Sequence, residues 1–159
     1  MPKRFYRKAT RANRDKYSIE HSIVLGQTSA QATNGLYQYA TNVVQSSPTQ
    51  GMRKVKHVTV SLTSSPSPAA ANQSIFWVLV YVPEGYSVNH LQGTPGASFY
   101  EPNQFVMACG CNDPEAGPIR IRSPISRNLN SGDSIWLVVG TPQPSVGING
   151  LVQYAITLQ

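Results

Sequence analysis

Ile75–Val82, IFWVLVYV, is the longest apolar run in the chain, and its reading decides the fold. Eight residues fall far short of the ~18 needed to cross a bilayer. The run is apolar on both faces and stops at Pro83-Glu84-Gly85. Such a segment fits a central strand packed on two sides.

Outward from this run, helical periodicity is nearly absent. Period-two alternation and short apolar runs recur, separated by Gly, Pro and Asn. Upstream, three strands are expected. Tyr17–Gln27 carries Tyr17, Ile19, Ile23 and Leu25 on one side, and His21 shares that side as a hydrogen-bonded core histidine. Gly35–Val44 turns Tyr37 and Tyr39 the same way. Met52–Thr63 alternates Val58, Val60 and Leu62 with Thr59, Ser61 and Thr63. Ser64–Gln73, rich in Pro, Ser and Ala, reads as an exposed loop. Downstream, Tyr86–Tyr100 reads as a long loop with one helical turn near Val88–Leu91. Strands are expected at Gln104–Gly110, Ile119–Arg122, Ser134–Gly140 and Gly150–Leu158. Asn128–Gly132 is expected to turn, with Asp133 capping that turn at the next strand's entry. Eight short strands with Pro/Gly loops predict an all-β, eight-stranded antiparallel jelly-roll sandwich. An immunoglobulin-like sandwich has a similar pattern, but no paired cysteines flank a tryptophan here.

The 159 residues fit one domain and can bury a real core. Charge divides the chain sharply. Residues 1–16, MPKRFYRKATRANRDK, hold Lys3, Arg4, Arg7, Lys8, Arg11, Arg14 and Lys16 against one acid, Asp15. Seven minus one is +6, which equals the net charge of the whole chain. Residues 17–159 are therefore neutral overall. They form the expected single domain, and 1–16 the expected flexible, disordered arm. The arm lacks the apolar stretch of a signal peptide. Such a tail suits phosphate contacts with counterion release, and Phe5 and Tyr6 suit stacking on unpaired bases. A solubilising tail is the plainer reading.

Only twelve charged residues remain in 17–159, about 8 % of 143 positions, against roughly 25 % in an ordinary soluble domain. A neutral, charge-poor surface tends to associate, so contacts between copies of the chain are expected. Cys109 and Cys111, one residue apart, are expected to share a face as buried small hydrophobes in a reducing compartment. A bridge at that spacing is strained.

No catalytic constellation is present in the pattern. His21, His57 and His90 are scattered, no nucleophile elbow or phosphate-cradling Gly-rich loop occurs, and nothing nominates a pair among Glu84, Glu101, Asp113, Glu115 and Asp133. No enzyme activity, cofactor or metal is expected. The basic residues outside the arm fall in two groups, Arg53, Lys54 and Lys56, and Arg120, Arg122 and Arg127. They read either as solvated cations or, if their strands are neighbours, as one nucleic-acid-binding surface formed by Arg53, Lys54, Lys56, Arg120 and Arg122.

Tyr100–Ile135, YEPNQFVMACGCNDPEAGPIRIRSPISRNLNSGDSI, resembles the capsid proteins of small circular single-stranded DNA viruses that encode a replication initiator, the circovirus-like group. A Tyr-x-Pro-x-Gln block (Tyr100, Pro102, Gln104) precedes an apolar strand, and an Arg-x-Leu-x-x-Gly-Asp-x-Ile turn follows (Arg127, Leu129, Gly132, Asp133, Ile135). GMRKVKHVTVSL and FWVLVYVPEG fit the same pattern, and with the basic arm the resemblance covers nearly the whole chain. The chain is shorter than the circovirus pattern, and its arm carries Thr, Ala and Asn among the cations. The resemblance implies a jelly-roll subunit of an icosahedral shell, most simply of sixty copies, with the arm inside on a single-stranded DNA genome. It implies location in the virion, with passage through the host nucleus during assembly, and it leaves any host attachment factor unassigned. The alternatives are the coat of a small RNA or satellite virus, and a non-viral lectin-like or cytokine-like jelly-roll module.

Overall fold

The computed structural model describes residues 17–32, 35–48, 51–65, 74–88, 105–113 and 116–158. The basic arm lies outside the described residues. So do Tyr100, Pro102 and Gln104, and most of the expected loops at 64–73 and 86–100, with residues 89–91 of the expected helical turn.

Among the described residues, nine strands form two antiparallel sheets. They are β1 (Ser18–Gln27), β2 (Tyr37–Val44), β3 (Arg53–Ser65), β4 (Ile75–Val82), β5 (Phe105–Asn112), β6 (Ile119–Ser123), β7 (Arg127–Leu129), β8 (Ser134–Thr141) and β9 (Gly147–Leu158). The first sheet runs β1-β9-β3-β6, with β7 also paired to β3; the second runs β2-β8-β4-β5. The all-β antiparallel sandwich expected from the sequence is present. Its strand count is nine rather than eight. Asn128 and Leu129, assigned to a turn by their sequence, belong with Arg127 to β7, which pairs with Arg53–Val55 of the first sheet. Three residues are too short to show period-two alternation, so the sequence pattern hides this strand.

The core lies between the sheets. Val55, Val58, Val60, Leu62, Ile119, Ile121, Leu129, Ile148 and Val152 from the first sheet meet Ile75, Leu79, Ile135, Leu137 and Val139 from the second. Each such side chain contributes about 1.5–3 kcal/mol on burial. Trp77 closes one part of this space. Its Nε1 donates to Asn112 Oδ1 at 2.8 Å, and its ring lies where a Cβ on Gly110 would sit, 2.5 Å from Trp77 Cζ2. The glycine on β5 is therefore what lets the indole lie flat across the sheet.

Two further expectations are overturned. On β1 the apolar side is the solvent side: Ile19 is 75 % and Ile23 71 % exposed, Leu25 and His21 are exposed with them, and only Val24 enters the core. Alternation defines two faces of a strand but does not say which one is covered, and β1 is an edge strand. The cysteines are free and exposed rather than buried. Cys109 pairs with Val78 and Cys111 with Phe76 at the edge of the second sheet, so they do share a face, but it is the one turned away from the core.

Candidate nucleic-acid interface

The arm residues Lys3, Arg4, Phe5, Tyr6, Arg7, Lys8, Arg11, Arg14 and Lys16 lie outside the described residues. Their point of attachment is described. Tyr17 precedes β1, and Lys56 Nζ sits 4.4 Å from the centre of its ring. This cation–π contact places the root of the arm beside β3.

β3 carries one group of the predicted cations and β6 the other, and the two strands pair directly. Arg122 is opposite Thr59, and Arg120 is opposite Ser61. Both arginines are exposed and alternate with buried Ile119 and Ile121, so they stand on the solvent face of the first sheet. Further along β3, its pairing with β9 shifts register between Lys56 and Thr59, and His57 takes φ 54°. This bulge explains why Val55 and Val58 both face the core although three positions separate them. It also leaves Lys54 and Lys56 on the side opposite Val55, the same side as Thr59 and Ser61. The predicted neighbourhood of the two groups is present as a pairing of strands. The bulge is what keeps their cations on one face.

Arg53 stands apart. Its Nη1 donates to Gln45 O at 3.1 Å and its Nη2 to Asp133 O at 3.3 Å. It ties the two sheets together at the end where the arm begins, which commits its guanidinium to backbone carbonyls.

That end contains a second constellation, centred on Asp133, which is 3 % exposed. Its Oδ2 accepts from Tyr81 Oη and from Asn130 N, both at 2.8 Å, and its Oδ1 accepts from Glu84 N at 3.1 Å. The expected turn cap is thus present: Asn130–Asp133 closes by Asp133 N donating to Asn130 O, with Gly132 at φ 82°. A positive φ at the third turn position suits glycine. Burial pushes the Tyr81 phenol up to about 12, and its hydrogen bond and proximity to the Asp133 carboxylate push the same way, while Arg127 opposes them. The Arg127 guanidinium lies 5.3 Å from the Tyr81 ring centre and 5.0 Å from that of Phe105. The two rings are 5.8 Å apart and tilted by 43°.

Sequence reasoning leaves Arg127 outside the predicted binding residues and does not single out Tyr81 or Phe105. The Arg-x-Leu-x-x-Gly-Asp spacing is the available signal: it places Arg127 on β7, Leu129 in the core, Gly132 in the turn and Asp133 under Tyr81. Among the described residues, no group of three or more His, Cys, Asp or Glu is arranged to hold a metal ion, and no helix is long and apolar enough to cross a membrane. No protein-family model matches the sequence, and no curated protein matches it.

Proposed function

We propose that the chain is the subunit of a small icosahedral virus shell that packages single-stranded DNA. The observation that carries this reading is the meeting of cations at one place. The root of the +6 arm, Lys54 and Lys56 stand at one end of the first sheet, and Arg122 and Arg120 continue along its solvent face. A polyanionic strand held by the arm would lie against this face. Phosphate contacts of this kind position a strand without reading its sequence.

The strand orders support a jelly roll. β1-β9-β3-β6 and β2-β8-β4-β5 interleave strands from the two halves of the chain, the order of paired Greek keys, with β7 as an added short edge. Self-assembly is supported by the surface. Ile19, Ile23 and Leu25 on edge strand β1, with Leu151 beside them on β9, form an exposed apolar band. Such bands mark contacts with other chains.

Electron micrographs of purified protein test the reading, and uniform small shells are the expected outcome. A chain that stays monomeric across concentration, pH and salt overturns it. Nuclease digestion of the packaged strand then separates DNA from RNA. Deleting residues 1–16 is expected to leave the sandwich folded and remove most of the packaged nucleic acid.

A further inference from the structure

A cavity of about 470 Å³ opens beside the Asp133 constellation, lined by Lys54, Tyr81, Phe105, Ser126, Arg127 and Asn128. Its volume falls in the range of small-molecule sites. Its chemistry is specific. Two cations, two aromatic rings, a hydroxyl and an amide face one space, and among the described residues no carboxylate lines it. Asp133 is buried behind Tyr81, where its carboxylate oxygens accept three hydrogen bonds, and it does not line the cavity with Lys54 and Arg127.

Arg127 gives the second observation. Its Nε is buried and has no hydrogen-bond partner. A buried donor left unpaired costs about 1–3 kcal/mol, and more when the group is charged. The cation–π contacts with Tyr81 and Phe105 hold the guanidinium but do not satisfy that N–H. A planar guanidinium fixed against two rings can both donate to an anion and stack beneath a flat ring. Lys54 adds a point charge, and Ser126 and Asn128 add neutral donors and acceptors.

We propose that this cavity binds one nucleotide unit of a single strand, with its phosphate between Lys54 and Arg127 and its base stacked on the group formed by Arg127, Phe105 and Tyr81. Phosphate alone would leave the rings unused, and an apolar ligand would leave both cations unpaired. A nucleotide matches both halves of the lining. The site lies at the end of the sandwich where the arm begins, so a strand led in by the arm reaches it without crossing the core.

The test is calorimetric titration of the full chain with thymidine 5′-monophosphate, thymidine and inorganic phosphate in about 0.5 M salt, where exposed charges are screened. The monophosphate is expected to bind at least about tenfold more tightly than either fragment. Arg127→Gln is expected to weaken it about tenfold or more. Because Arg127 also packs on two rings, Ser126→Trp is the companion variant: it fills the cavity from an exposed position and leaves Arg127 and the arm in place, and it is expected to weaken binding similarly. Equal affinity for phosphate and the monophosphate overturns the nucleotide assignment. Unchanged binding in Ser126→Trp places the ligand elsewhere and overturns the site. This readout involves neither assembly nor packaging, so its failure leaves the shell reading standing, and failure to form shells leaves the cavity assignment standing.

Discussion

The two sheets solve the same problem differently. In the second sheet, β4 is covered on both sides: Ile75 and Leu79 enter the core between the sheets, while Val78, Val80 and Val82 pack with Val138 in a separate cluster against Leu36, Val88 and Trp136. In the first sheet, β3 and β6 bury only one side and leave Thr59, Ser61, Arg120 and Arg122 on the other. Both sheets are antiparallel and of similar size, so strand geometry does not set the difference. What differs is the second face. The second sheet has apolar residues there and chain segments before β2 and after β4 to cover them. On β3 and β6 the first has hydroxyls and cations, which need water or a polar or anionic partner, and on β1 and β9 it has the exposed apolar band of Ile19, Ile23, Leu25 and Leu151. One sheet is therefore scaffold and the other is surface.

Placing a charge on each outer face tests this contrast most severely. Val80→Asp is expected to cost at least about 4 kcal/mol or abolish folding, because it buries an unpaired carboxylate. Thr63→Lys, on the exposed side of β3, is expected to change stability by less than about 0.5 kcal/mol. Urea unfolding of the two variants decides it, and a Val80→Asp chain as stable as the parent would mean that the second sheet also has a free face.

Asp133 joins the two regions, since its carboxylate holds the second sheet's Tyr81 and its backbone carbonyl accepts from Arg53 of the first. Asp133→Ala is expected to lose about 3 kcal/mol in the same measurement by stripping Tyr81 Oη, Asn130 N and Glu84 N of their acceptor.

A smaller effect is expected at alkaline pH. Tyr81 holds its proton more tightly when folded, its value rising from 10.0 to about 12. The folded state then binds more protons than the unfolded state between these values, so stability from this group is complete below pH 10 and is lost as pH rises towards 12. Burial also raises the Tyr154 phenol, so it acts in the same direction. Tyr81→Phe is expected to be less stable at neutral pH, having lost the bond to Asp133, and to show a flatter decline between pH 10 and 12 in a chemical-denaturation series.

The smallest stability effect belongs to the surface sheet. Replacing Lys54, Lys56, Arg120 and Arg122 together with Gln is expected to leave the unfolding midpoint nearly unchanged. The salt dependence of single-stranded DNA binding should become shallower by about 0.7 in log–log slope for each phosphate that is no longer neutralised. An unchanged slope would remove the first sheet from the interface and leave the arm as its sole binding element.

Most strands are legible because their signals are local. Ile75–Val82 is bounded by a Pro-Glu-Gly turn, and Ile119–Arg122 alternates strictly, so a few residues suffice to read each. β7 is not legible, since three residues show no period and its strand character comes from its partner β3. The pairing of β3 with β6 follows from the expected fold class. The bulge at His57 that aligns their cations does not, because it exists only as a register shift against β9.

Side-chain periodicity and simple counting were enough to establish the all-β class, the concentration of net charge in residues 1–16, and the in–out pattern of Ile119–Arg122. Which face of each strand meets another layer was settled by the packing of the two sheets. That packing turned Ile19, Ile23, Leu25 and the two cysteines outward, and it gathered Lys54, Tyr81, Phe105 and Arg127 around one cavity from four separate strands. Period two divides a strand into two sides, but burial depends on what packs against each side. That is set by contacts between residues far apart in the chain.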